Sequence, residues 1–282
     1  MPFVLALLAA AFYGSGDFFG GLAARRAPIL PVTITSQGVG LLVLVALAPL
    51  GTERAPTLSH LFWGTGAGLS GGLGVALLYH GLAIGTVSVV APISAVVGLA
   101  LPVLVGVVLG DALSPAAVAG IALAAVSIVL ISREPADPAG RVLPTNWRKS
   151  ALAVAVLSGV FIGAFLVCLA RAPRDGSLWP LLAARAVSVG GLGLAIWLRG
   201  GGPLPVAAAR PAALASGILD VIANMCYLAA ARTGMLSLVA TLTNLYPAST
   251  VVLARVVLHE RVRPVQLVGM ALALLAVVLI AR

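Results

Sequence analysis

The chain has 282 residues, 61% of them hydrophobic and only 9% charged, with 17 Lys and Arg against 8 Asp and Glu for a formal net charge of +9. Soluble domains carry about 25% charged residues, so a water-soluble globule, a disordered chain and a disulfide-stapled secreted domain are excluded. The basic residues stand as ones and twos between apolar runs, which points to anchoring at membrane ends; no nucleic-acid partner is expected, since that needs a clustered basic face.

A spanning helix needs about 20 mainly apolar residues. Apolar segments fall near 2–24, 31–50, 60–83, 87–109, 115–132, 150–171, 177–198, 207–231, 236–258 and 264–281. They read as helices, because a lone strand in lipid leaves backbone groups unpaired and the alternation of barrel strands is missing. The predicted fold class is an all-α membrane protein of ten transmembrane helices. The first run has no basic leader and continues to about Ala24, so it counts as a span and not as a signal peptide.

Along these segments, the third is dense in glycine (Gly64, Gly66, Gly68, Gly71, Gly72 and Gly74). GxxxG spacing at Gly16/Gly20, Gly68/Gly72, Gly106/Gly110 and Gly159/Gly163 predicts close helix packing. Ser114-Pro115 reads as an N-cap followed by proline at the first helical position of helix 5. Asp111 and Glu260 precede Pro115 and Pro264 and are expected to cap helices 5 and 10. Gly200-Gly201-Gly202-Pro203 breaks the chain after helix 7, and Pro247 predicts a kink in helix 9 that frees backbone carbonyls. Cys168 and Cys226 lie in apolar runs and read as reduced packing residues. With no CxxC, Cys/His or HExxH spacing, neither metal nor cofactor is expected.

The one linker of any size cuts the chain nearly in half. Residues 1–132 form a first five-helix unit, 133–149 the linker and 150–282 a second five-helix unit. At an offset of 149, Asp111 and Pro115 lie over Glu260 and Pro264, Gly120 over Gly269, and Val129-Leu130-Ile131 over Val278-Leu279-Ile280. At 148, Tyr79 lies over Tyr227, and at 147, Gly16-Asp17-Phe18 over Gly163-Ala164-Phe165. An odd helix number per unit makes the second enter from the opposite side, giving inverted repeats with a site between them near the bilayer midplane.

The run from Tyr79 through Gly110-Asp111, Pro115 and Gly120 resembles the repeat unit of EamA-type transporters of the drug/metabolite transporter superfamily. Tyr227 through Pro247, His259-Glu260, Pro264 and Gly269 resembles it more strongly. The resemblance implies ten helices, with helices 1–4 and 6–9 around a central cavity and helices 5 and 10 packed behind. There are departures: the usual Gly-Glu is Gly110-Asp111 in one half and His259-Glu260 in the other, and the register partner of Pro247 in helix 4 is Gly98, with Pro102 displaced. The arginine often found in helix 7 matches Arg185, while helix 2 has Gln37 at that place.

Asp17, His80, Arg185 and Asp220 stand inside spans, where a charge costs about 2.5–3.5 kcal/mol on insertion scales and must face a cavity or a partner. Arg185 could pair with Asp17 or with Asp220. Either Arg185 takes a substrate carboxylate while an aspartate takes a proton or the substrate amine, or the group is a structural ion pair that fixes helix register. Asn224 follows Asp220 at i, i+4 and faces the same way, and Thr241 and Asn244 share a face ahead of Tyr246 and Pro247. The candidate substrate or ion site is therefore Asp17, Gln37, Tyr79, His80, Arg185, Asp220, Asn224, Thr241, Asn244 and Tyr246. Interhelical hydrogen bonding is the plainer role of the uncharged members, and a packing role that of His80.

These residues point to a secondary-active or facilitative transporter, an exporter of small polar metabolites such as amino acids, working by alternating access; with no ATP-binding P-loop present, the drive is an ion gradient, protons among the candidates, or the substrate gradient itself. A lipid-linked carrier moving an amphiphilic headgroup is the alternative. No nucleophile–base constellation exists, so an enzyme is not expected. The expected partners are a small-molecule substrate and membrane lipid, with a monomer or homodimer in the plasma or inner membrane. Counting basic residues by loop puts both termini outside, whereas the resemblance implies both in the cytoplasm.

Overall fold

A computed structural model of the chain describes residues 1–48, 55–84, 87–132, 145–198, 207–259 and 263–282, apart from the side chains of 79, 81–84, 87–89, 91, 92 and 145–150. The described residues form eleven helices and no strand: α1 Pro2–Ala24, α2 Ile29–Leu47, α3 Leu58–Ile84, α4 Val87–Val108, α5 Pro115–Ile131, α6 Thr145–Arg171, α7 Trp179–Leu198, α8 Arg210–Thr233, α9 Leu236–Thr243, α10 Pro247–Val257 and α11 Pro264–Ile280. Seven stretches among the described residues are long and apolar enough to cross a membrane, with Leu236–Val257 counted as one, and three shorter apolar stretches accompany them. Large apolar side chains such as Leu42, Phe62, Trp197 and Leu274 are more than two-thirds exposed, a surface suited to lipid and unsuited to water. The chain is a multi-pass integral membrane protein.

In lipid there is no hydrophobic drive between helices, so close backbone packing and interhelical hydrogen bonds must hold them. A Cβ on Gly68 would stand 2.5 Å from the Ala184 carbonyl, one on Gly159 2.6 Å from that of Ser94, and one on Gly217 2.3 Å from that of Ser36. Some of the expected glycine pairs serve otherwise. Gly64 joins Gly68 against α7, while Gly72 meets nothing within 4 Å. Gly106 and Gly110 form a helix end and not a packing stripe.

The pairing of helices follows a pattern. α1 packs most extensively on α8 and α3 on α6; α3 packs on α7 and α8 on α2; α5 packs on α11. In this last pair Gly120 lies against Ile280, and Gly269 against Ile131. The start of each helix thus meets the end of the other, an antiparallel contact. Ser127 donates to the Gly269 carbonyl at 2.8 Å, and Gln266 to the Ile131 carbonyl at 3.2 Å.

Ser114 caps α5 as expected, its Oγ accepting from Ala117 N–H at 3.1 Å. Asp111 does not cap α5: its carboxylate accepts from the Ser237 N–H (2.9 Å) and Oγ–H (2.7 Å) at the start of α9. The turn at Gly110 points it across the bundle. Glu260, Gly200 to Pro203 and most of the 133–149 linker lie outside the described residues. The ninth span is broken, as Pro247 predicts. Proline offers no N–H to the Thr243 carbonyl; Tyr246 N–H takes it at 3.3 Å, a tighter turn that separates α9 from α10. α4 runs unbroken from Val87 to Val108.

Candidate functional site: a buried arginine and an open carboxylate

α7 packs on α3 and α2 and carries Arg185, 8% exposed. Its guanidinium donates through Nη1 to Gln37 Oε1 on α2 and through Nη2 to Asp220 Oδ2 on α8. Gly40, one turn from Gln37, leaves room for it: a Cβ there would stand 3.4 Å from Arg185 Nε. Asn224 Nδ2 donates to Asp220 Oδ2 (3.2 Å) and to the Asp220 carbonyl (2.7 Å), and Asn224 Oδ1 accepts from the Tyr13 hydroxyl of α1 at 2.9 Å. A chain of polar groups thus runs from α2 through α7 and α8 to α1, and the cation is matched by one carboxylate and one amide oxygen. Of the two partners open to Arg185, the structure has Asp220.

Asp17, one turn after Tyr13 on α1, makes no hydrogen bond or ion pair with any described residue. It lies inside the first span, exposed to a cavity of about 660 Å³. Ser94, Asn244, Tyr246, Arg25 and Arg263 are among the other lining residues. Tyr246, at the break between α9 and α10, is close enough to Asp17 to feel its charge. The cavity extends to the bundle end where α1 and α10 finish and α11 begins, at Arg25, Leu258 and Arg263.

The remaining candidates fall in different places. Asn244 lines the cavity, but its Nδ2 donates to its own helix, to the Ala240 carbonyl at 2.8 Å. Thr241 is fully buried and donates to the Ser237 carbonyl at 2.6 Å. Both side chains bond back within α9 and so provide neither interhelical hydrogen bonds nor free ligands through these donors. His80 is exposed and has no hydrogen-bond partner among the described residues, against the packing role expected of it. The Tyr79 side chain lies outside the described residues; its register partner Tyr227 is buried and donates to the Leu166 carbonyl at 2.9 Å, tying α8 to α6.

Sequence reasoning missed three groups. Tyr13 carried a signal, its i, i+4 spacing from Asp17. Ser94 and Ser158, hydroxyls 2.9 Å apart, join α4 to α6 with no signal beyond small polar residues in apolar runs. His60, at the start of α3, is 3% exposed. Its Nδ1 accepts from Thr57 N–H at 3.0 Å, so the proton sits on Nε2, which donates to Asp175 at 2.8 Å in the loop before α7.

A family model described as the EamA-like transporter family matches residues 1–133 and again 149–282. None of the curated proteins matches the sequence. Among solved structures, one titled only as the crystal structure of a protein is similar in fold, with a TM-score of 0.80 at 19% sequence identity, over 98% of this chain and 94% of that one.

Proposed function

The chain belongs to the EamA-like transporter family, membrane transporters of the drug/metabolite transporter superfamily, and from that premise we propose that it exchanges protons for small amine-bearing metabolites, amino acids or related compounds, by alternating access. The observation that carries this reading is Asp17, a carboxylate within a span, without a partner among the described residues, beside the cavity. An intramembrane acid of this kind marks an ion or substrate path. The charge of Arg185 is already met by Asp220 and Gln37, so an anionic substrate would have to displace a carboxylate, whereas a protonated amine meets one that is free.

Direction follows from competition. One carboxylate holds a proton or an amine, not both, so a proton binding from the acid side releases the substrate to that same side, and an inward proton gradient drives export. Two inverted five-helix repeats, 1–132 and 150–282, suit this cycle. The reading is supported by helix pairings that survive exchange of the halves, and by the reciprocal Gly120–Ile280 and Gly269–Ile131 contacts. It is supported also by Arg185 bonding Gln37, the residue at its own register position in the first half.

Uptake by the purified chain in liposomes tests it, with amine-bearing, zwitterionic and anionic compounds scored against protein-free vesicles, which trap weak bases unaided. Amine-bearing compounds should accumulate inside acid-loaded vesicles and be lost when a protonophore collapses the gradient. Flux of anions alone would overturn the reading, and lipid movement between leaflets without solute flux would replace it with a lipid carrier.

A further inference from the structure

We propose that Asp111 and Ser237 form a gate that holds the bundle closed at the end opposite the cavity, an inference that rests on the transporter reading above. The device is built from the sequence Gly106-Val107-Val108-Leu109-Gly110-Asp111. α4 ends with Gly110 at φ +100°, a left-handed turn that glycine adopts without strain. Asp111 N–H bonds the Gly106 carbonyl at 2.9 Å and Gly110 N–H that of Val107 at 3.0 Å, the paired closure of a Schellman end.

That closure brings the Asp111 carboxylate onto the first turn of α9. Met235, the residue at its N-cap, makes no side-chain cap, so α9 takes its cap from the connection between α4 and α5. A carboxylate there meets both the free N–H groups and the positive end of the helix dipole. The approach is tight: a Cβ on Gly106 would stand 2.4 Å from Asp111 Oδ2 and 2.8 Å from Ser237 N. Both glycines therefore serve this contact.

Its position gives the contact its role. α9 starts at the latch, and the span it opens ends with Leu258 at the cavity; α5 starts four residues beyond Asp111 on the latch side and ends at Ile131, beside Ser132, at the cavity. The latch thus lies at one end of the bundle while the cavity opens at the other. It also fixes the half-helix whose far end, Asn244 to Tyr246, lines the cavity. In sequence, an acid and a serine recur 149 residues apart as Glu260 for Asp111 and Ser237 for Ser88, so each half carries the pair. Release of the carboxylate frees the start of α9 and opens the latch side.

Cysteine labelling of the full chain in liposomes tests the gate. Cys168 and Cys226 are replaced by alanine, and a single probe is introduced, Thr241→Cys one turn inside the latch or Ala254→Cys at the cavity. A membrane-impermeant maleimide is then applied to each face. Asp111→Ala should raise labelling of the first probe about tenfold and lower that of the second, because one population is drawn from the other. Asp111→Asn, which keeps an acceptor but loses the charge, and Ser237→Ala, which keeps the N–H, should act in the same direction with smaller effect. An unchanged rate at Thr241→Cys in all three variants would overturn the gate. So would a parallel rise at both probes, which is loosened packing. Labelling needs no substrate, so a chain that labels as expected but moves no solute would retire the transport reading alone.

Discussion

Arg185 commits the carboxylate of Asp220 and not that of Asp17. Removing one partner of a buried ion pair costs about 3–5 kcal/mol because it strands the other charge. The Asp220 side chain is 29% exposed and that of Arg185 only 9%, so Asp220→Ala should cost about 2–3 kcal/mol, below that range, since water from the opened side partly solvates the arginine. Asp17→Asn should change stability by less than about 0.5 kcal/mol, as it breaks no contact. Denaturation of the two purified variants in detergent checks both. The loop pair makes a separate prediction. Despite an upward push from burial, the Ser177 N–H and the His60 ring hold the Asp175 carboxyl below its ordinary value. The ionised form is therefore favoured by folding: its stabilisation is present above the ordinary carboxylate range near pH 4 and is lost as pH falls through the lowered value. The difference in melting temperature between Asp175→Asn and the parent chain should be small, since the group is half exposed, and should vanish in acid. Gln37, Arg185, Asp220 and Asn224 were legible because a polar group within an apolar run has few reasons to be there. His60 and Asp111 were not, because their partners lie 115 and 126 residues away and no local spacing names them.

Among the elements, helix existence was legible throughout and the ends of α1 and α5 fell within a residue of expectation, because capping and the cost of unpaired backbone in lipid act locally. The break in the ninth span was legible for the same reason, through Pro247. What the break is for belongs to this scale. Pro247→Ala restores an N–H opposite the Thr243 carbonyl and lets α9 run on into α10, so the melting temperature should hold or rise, while uptake should fall about tenfold as Tyr246 leaves the cavity wall. A stabilised variant with full uptake would show the break to be incidental. The glycine stripes were only half legible: GxxxG spacing gives close packing but not the partner, and Gly106/Gly110 shows the same spacing serving a helix end.

For the whole molecule, the proposed division into halves rests on one register, Asp111, Pro115 and Gly120 over Glu260, Pro264 and Gly269. The packing of Gly120 and Gly269 at opposite ends of one antiparallel interface gives that register a physical reason. The halves are not identical: Gln37 stands at the register position of its own partner Arg185, α4 is continuous where the ninth span is broken, and Asp17 lies over Ala164. The most direct test sets Asp17→Asn beside Asp220→Asn in acid-loaded liposomes. Asp17→Asn, folded as the parent chain, should lose all accumulation driven by the proton gradient, while Asp220→Asn should keep a reduced but still gradient-driven flux. Full gradient-driven accumulation in Asp17→Asn would contradict proton exchange at this carboxylate.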